Sequence, residues 1–441
     1  MYDQIKRIFP KIRISEKLLP VTIGGGVRTL VREIRSGMEG GPVGILPAYL
    51  KTKEAREVVS SVLPGMILDN SPQKIPPETA RLIYGGLKGS VSSIETYYGC
   101  PYRHYLDYGL RPSELADYEE SAQDTGTYAH EVMETLTRNI ISSKKKWAEL
   151  DDAEIERYVN AAGDAILAEH NRGIMADSSR FRYLAGRLKE EIAYSARAIR
   201  DQLKDTPVNV EGSEYGFGFW NDFRIETPGG TVSIRGKIDR VDIADVGGEK
   251  YIRVVDYKTG SKRFDLTEMF YGLDIQLMVY LLALLNISKY RGAVPAGGFY
   301  FRIDLPLVDA DGAERKRQQK YRMSGFLLSE QDAVNGLDNG EKTLTSMQLK
   351  KTADEDRPVE GDGALSREEM AALLKHTRDL ISRAASKIYS GEIEIRPAKI
   401  GGKTVCSYCP YIAVCRSDEL GCDPRVIEKM SREEIMEALE R

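Results

Sequence analysis

Long apolar runs are missing from this sequence, and so is an N-terminal secretion signal. No stretch approaches the roughly 20 apolar residues of a membrane helix, and the opening MYDQIKRIFPKIR has no signal-peptide core. Both absences point to a cytoplasmic, reducing compartment. A surplus of charge is missing too: 63 Lys and Arg against 67 Asp and Glu leave −4. The chain is therefore no uniform polycation, and any nucleic-acid contact must rest on local patches. Two such patches are Lys258/Lys262/Arg263 and Arg315-Lys316-Arg317 with Lys320 and Arg322, although runs of this kind are usually solvated faces. Histidine is scarce, at four residues. HEVME at 130–134 has Glu134 where a zinc protease of the H-E-x-x-H type needs its second His. A P-loop is absent as well. Its nearest approach, Gly401-Gly402-Lys403-Thr404, has Pro397 in place of the first Gly and runs into Cys406 rather than opening a helix. No ATPase activity is expected.

What is present is 441 residues of ordinary hydrophobic content, 41%, enough for two or three domains. Residues 1–85 mix short helical patterns with Gly- and Pro-rich breaks and contain no repeat. From Ser90 the pattern firms: SVSSIETYYGCPYRHYLDYGL has helical spacing with Ser90 or Ser92 as N-cap. In TGTYAHEVMETLTRNII, Tyr128, Val132, Met133, Leu136 and Ile140 make an apolar stripe. Two charged-faced helices follow, near 152–172 and 178–204. YGFGFW, TVSIRGKIDRVDIAD and KYIRVVDYKTG then read as strands, the last two joined by a turn at Val246-Gly247-Gly248-Glu249. One long helix is expected over 265–286, another strand in GGFYFRIDLPLV, a loop near 352–364 and a helix from Ser366 to about Ile388. Interleaved strands and helices around one central sheet make the fold class α/β.

Residues i and i+2 of a strand share a face, so Asp256 and Lys258 of VVDYKTG point one way and Val255 and Tyr257 the other. The preceding hairpin strand brings Asp239 of GKIDRVD close to Asp256. Two neighbouring carboxylates repel unless a cation lies between them, which suits oxygen-loving Mg²⁺ or Mn²⁺. A lysine beside such an ion can position the attacking water and neutralise charge growing on a phosphate. A lone D-x-K would be a strand-end salt bridge. The ordered pattern G-x-x-D, apolar strand, D-x-K-T-G is much more specific.

In this order the segments resemble the RecB-like branch of the PD-(D/E)xK nucleases, with GKIDRVD as its second motif and VVDYKTG as its third. Gln276 and Tyr280 of QLMVY match its Q-x-x-x-Y motif, and i, i+4 spacing puts them on one helix face. His130 matches the histidine that such nucleases place on an N-terminal helix as a further metal ligand; His104, His170 and His376 have no such context. The resemblance implies a restriction-endonuclease-like core, a central mixed sheet flanked by helices.

Five cysteines are an odd number for a disulfide framework, and Cys406, Cys409 and Cys415 lie within ten residues. That reads as a metal site, completed by Cys100 far upstream. C-x2-C spacing alone favours zinc over an iron–sulfur cluster. The two cysteine segments, however, resemble the halves of the iron–sulfur staple in the AddB-type chain of AddAB helicase–nucleases. That likeness implies a [4Fe–4S] cluster on Cys100, Cys406, Cys409 and Cys415, acting as a clasp, with Cys422 outside the set.

The resemblance covers about residues 80–425. It implies a nuclease domain over 86–425, a helical tail over 426–441, and residues 1–85 as a remnant of a helicase-like region in a chain cut from a longer protein; a shorter stand-alone relative is the alternative. The expected activity is Mg²⁺- or Mn²⁺-dependent exonucleolytic hydrolysis of single-stranded DNA, leaving a 5′-phosphate and a 3′-hydroxyl. His130, Asp239 and Asp256 would hold the ion and Lys258 would orient or activate the water. Gln276, Tyr280, Lys262 and Arg263 would engage the strand. The DNA would come from duplex ends opened by an AddA-type helicase partner during double-strand-break processing. The rivals are an autonomous iron–sulfur exonuclease of the CRISPR-adaptation or replication type, and a non-catalytic metal-stapled DNA-binding scaffold.

Overall fold

The computed structural model describes residues 74–85, 88–112, 122–169, 179–204, 206–218, 223–227, 230–260, 262–304, 320–337, 361, 363–417 and 422–441, with isolated positions before residue 62. The chain divides into two units, Met1–Ser71 and Pro72–Arg441. The helical content expected for residues 1–85 falls outside the described residues, except for isolated positions and helix α1 (Pro77–Tyr84) of the second unit. The patch at Arg315–Arg317, His170 and most of the 352–364 loop also fall outside them.

The second unit is built on an eight-stranded mixed sheet. Strands β1 (Lys88–Ser90), β4 (Gly230–Val246), β5 (Glu249–Lys258), β6 (Val294–Arg302), β7 (Ser324–Leu328) and β8 (Ala364–Leu365) run side by side in that order, while β2 (Asn209–Phe217) and β3 (Arg224–Thr227) also pair with β4. The β4–β5 hairpin turns at Gly247-Gly248 as its sequence predicts. β5 and β6 are parallel, so the chain between them must cross over the sheet.

Helix α2 (Val91–Gly99) starts at Ser90, whose side chain accepts from the Ser93 amide, and ends at Cys100 in extended backbone. The short α3 (Pro101–His104) follows. Helices α4 (Ala122–Ser142), α5 (Asp152–Glu169) and α6 (Ser179–Leu203) pack on one another, and α4 lies against β2. The stripe Tyr128, Val132, Met133, Leu136 and Ile140 is buried throughout, as its spacing requires.

The single helix expected over 265–286 is instead two: α7 (Leu266–Phe270) and α8 (Gln276–Leu285). Gly272 causes the break. Its φ is +81°, and a Cβ there would lie 2.4 Å from the Tyr98 ring, so no other residue fits this turn. The break puts Gln276 in the first turn of a helix instead of mid-helix. Seven of the next eight residues of α8 are apolar and all eight are buried. That all-round burial is supplied by β5 and β6 on one side and α10 (Arg367–Tyr389) on the other.

α9 (Gln331–Leu337) precedes β8. The N-terminus of α10 is closed by a reciprocal Ser366–Glu369 capping box. After it, β9 (Ala398–Ile400), β10 (Lys403–Thr404) and β11 (Arg425–Ile427) form a small sheet, with Gly401-Gly402 turning the β9–β10 hairpin. α11 (Ile412–Cys415) carries Cys415, and α12 (Arg432–Glu440) is the helical part of the 426–441 tail, whose first residues lie in β11. Among the described residues no helix is long and apolar enough to cross a membrane.

Candidate active site

The β4–β5 register pairs Arg240 with Val255 and Asp242 with Arg253. Paired residues share a face, so Asp239 falls one step on, opposite Asp256 and on the other face from Arg240. The Asp239 Oδ2 accepts from the Tyr257 amide at 2.7 Å and lies 3.4 Å from Nδ1 of His130 on α4. His130 is raised above its ordinary pKa. Burial works to lower it, but the hydrogen bond and charge of Asp239, with Asp256 behind, outweigh that.

Asp256 is buried, 2% exposed. Burial first, and the Asp239 charge second, push its carboxyl up to about 6 against the pull of Lys258. Its Oδ1 accepts from Gln276 Nε2 at 2.8 Å. Its Oδ2 stands 2.5 Å from the Lys258 ammonium, yet has no partner in hydrogen-bonding direction. Lys258 Nζ in turn donates to Gln276 Oε1 at 3.0 Å. One amide side chain thus ties the carboxylate to the lysine, and its Nε2 also donates to Tyr280 Oη at 2.7 Å.

Tyr280 is buried behind Gln276, with its ring edge-on to Phe217 at 5.8 Å. Phe217 explains the glycine of G-x-x-D: a Cβ on Gly236 would lie 2.6 Å from the Phe217 ring. That missing side chain leaves room for Phe217 beside the tyrosine.

Lys262 and Arg263 stand on the exposed segment after β5. The ammonium of Lys262 is engaged by Asp274 at 2.9 Å and sits 4.5 Å above the Tyr300 ring. Asp274, 3% exposed, also accepts from the Tyr300 hydroxyl. Sequence reasoning missed Asp274, Tyr300 and Glu95. Glu95 on α2 accepts from the amides of Ile275 and Gln276 at 2.9 and 3.1 Å. The signal for Asp274 was its place two residues before Gln276. Nothing local marked Glu95.

Among the described residues no group of three or more His, Cys, Asp or Glu side chains is already gathered as a metal cage. The carboxylates instead hold His130, Lys258 and Gln276. The donor set nonetheless suits a hard divalent ion: two neighbouring carboxylates, with the charge of Asp239 adding to burial in raising Asp256.

The cysteines lie on neighbouring segments. Tyr411 Oη donates to Asp107 at 2.8 Å, and the Tyr102 amide donates to Glu394 O at 3.1 Å. Val405 faces Gly99. The Cys100 thiol is pushed up chiefly by burial, with Cys406 near enough to add to the effect. Cys409 is raised by burial and then by Cys415 and Cys406. All five cysteines are free thiols. Cys422, expected to lie outside the set, is raised chiefly by burial, with smaller additions from Cys406 and Cys415.

A family model described as the PD-(D/E)XK nuclease superfamily matches residues 88–416. Among curated proteins, the B chain of the ATP-dependent helicase/deoxyribonuclease of Alkaliphilus oremlandii is 29% identical over 470 residues, covering 100% of this chain and 41% of the relative. The like-named chains of Alkaliphilus metalliredigens and Exiguobacterium sibiricum are each 31% identical, over 100% and 88% of this chain and 41% and 36% of their own lengths. The chain thus spans about two fifths of the length of the relatives it matches. With Asp239 opposite Asp256, Lys258 two residues on, and a family match running from β1 through the cysteine cluster, the chain belongs to the PD-(D/E)XK nuclease superfamily.

Proposed function

We propose that this chain is the nuclease portion of a helicase–nuclease, hydrolysing phosphodiester bonds of single-stranded DNA at processed double-strand-break ends. The observation that carries the reading is the joint placement of Asp239, Asp256, Lys258 and Gln276. His130, Asp239 and Asp256 would hold Mg²⁺ or Mn²⁺. Such an ion supplies Lewis-acid polarisation of the phosphate and a more acidic bound water.

The chain's own residues do the rest. Gln276 holds Asp256 and Lys258 together, and Asp256 keeps the Lys258 ammonium charged in a partly buried site. The Lys258 pKa is raised, its carboxylate neighbours outweighing burial. The ammonium is placed to orient the attacking water and to stabilise charge developing on the phosphate. Tyr280 acts on the strand only through Gln276, while Lys262 and Arg263 stand on the rim where a phosphate backbone would pass.

Cys100, Cys406, Cys409 and Cys415 are four soft donors suited to a [4Fe–4S] cluster. Bound there, the cluster would supply a cross-link between the segment after α2 and the segment running from Cys406 through α11. The names of the relatives support a partner helicase and a DNA substrate. The test is anaerobically purified chain with end-labelled single- and double-stranded DNA, alone and with the helicase partner. Products ending in 5′-phosphate and 3′-hydroxyl from single strands support the reading. Binding without cutting under every condition overturns it in favour of a scaffold.

A further inference from the structure

We propose that Glu95 is a positioning residue for the cleavage reaction, its carboxylate capping α8 so that the Gln276 amide is held against Asp256 and Lys258; this rests on the nuclease reading above. The first turn of any helix leaves N–H groups without intrahelical partners, and a side chain at the N-cap usually satisfies one. α8 lacks that provision. Its N-cap is Ile275, which makes no side-chain cap bond, and its first turn holds no acidic residue. The cap comes instead from 180 residues upstream: Glu95 Oε1 accepts from both Ile275 N and Gln276 N, at 2.9 and 3.1 Å. A carboxylate at a helix N-terminus is also favoured by the helix dipole.

Gln276 is the residue whose position matters most, because its single amide serves Asp256, Lys258 and Tyr280 at once. Its backbone anchor is therefore the anchor of the lysine–carboxylate pair. Interior placement fits the role. Burial, with Asp274 adding, pushes Glu95 up to about 7, and Lys262, Lys258 and the Ile275 amide work the other way. Glu95 bonds the Ile275 and Gln276 amides rather than a proposed metal ligand, and Cys100 is the C-cap of the helix α2 that carries it. α2 is thus a strut with the cysteine cluster at one end and the catalytic amide held from its middle.

The test compares Glu95→Ala and Glu95→Gln with wild type for kcat and KM on single-stranded DNA, global stability, and hydrogen exchange at residues 275 and 276. Misplacing a positioned group by about 1 Å lowers rates by about 10²-fold. Glu95→Ala is expected to lose that much kcat with KM unchanged, and to exchange faster at those two amides. Glu95→Gln keeps an acceptor oxygen and should retain most of the kcat. Unchanged exchange at 275 and 276 in Glu95→Ala overturns the capping, whatever the activity. Wild-type kcat in Glu95→Ala, or loss of stability and activity together in both variants, overturns the positioning role. Wild type that cuts under no condition sinks the nuclease reading instead, and the exchange arm still decides the cap.

Discussion

Replacing Asp256 by asparagine should abolish cleavage and yet stabilise the metal-free protein at pH 8. Asp256 is buried, faces Asp239 across the hairpin, and its carboxyl rises from 3.8 to about 6. A raised folded-state pKa means that the charged form is the penalised one. The folded state therefore has its full advantage below the unfolded value near 4, and loses it as pH climbs through about 6. At 1.36 kcal/mol per pH unit, a rise from 3.8 to about 6 is ~3 kcal/mol. That figure already contains the attraction of Lys258, which stays charged in the variant. Urea unfolding of EDTA-treated protein at pH 4.5 and pH 8 measures it. Asp256→Asn should exceed wild type by about 1 kcal/mol at the lower pH and by about 3 kcal/mol at the higher. Adding Mn²⁺ should stabilise wild type and leave the variant nearly unmoved. Equal destabilisation by Asp256→Asn at both pH values would make the carboxylate a structural asset, and the penalty inferred from its burial would be wrong.

Three further outcomes follow from single contacts. Asp242→Ala leaves the wholly buried Arg240 and Arg253 guanidinium groups, both bonded to that carboxylate, without their shared counter-charge. Denaturant titration should show a loss of about 3–5 kcal/mol. Gly236→Ala drives a methyl into the Phe217 ring, which should cost about 1–3 kcal/mol and lower kcat by displacing Tyr280. The proposed cluster predicts that Cys100→Ser and Cys406→Ser each yield protein without iron or acid-labile sulfide and that Cys422→Ser keeps both; zinc in wild type would overturn the proposal.

The placement of the candidate residues was legible in the sequence wherever it followed a local period. Asp256 and Lys258 share a face because strands alternate, and Gln276 and Tyr280 because helices return every i+4. The hairpin turn gave the register that sets Asp239 opposite Asp256. What escaped was non-local. Glu95 reaches the site only because α2 packs beside a helix start 180 residues later. The split between α7 and α8 depends on the Tyr98 ring lying on Gly272, a contact that an apolar period across 265–286 does not carry. Likewise the Arg240–Asp242–Arg253 cluster reads as ordinary polar residues on two strands. Only the covering elements, down to the Leu337 carbonyl that receives an Arg253 N–H at 2.6 Å, make it interior.

Whether Lys258 takes part in phosphodiester hydrolysis is decided by single-stranded DNA cleavage with wild type and Lys258→Met, in Mg²⁺ or EDTA, beside DNA binding by each. Wild type is expected to cut, EDTA to abolish the cutting, Lys258→Met to cut nothing, and both proteins to bind DNA. Cleavage by Lys258→Met at the wild-type rate would contradict this, since the ammonium held between Asp256 and Gln276 would then have no part in the reaction.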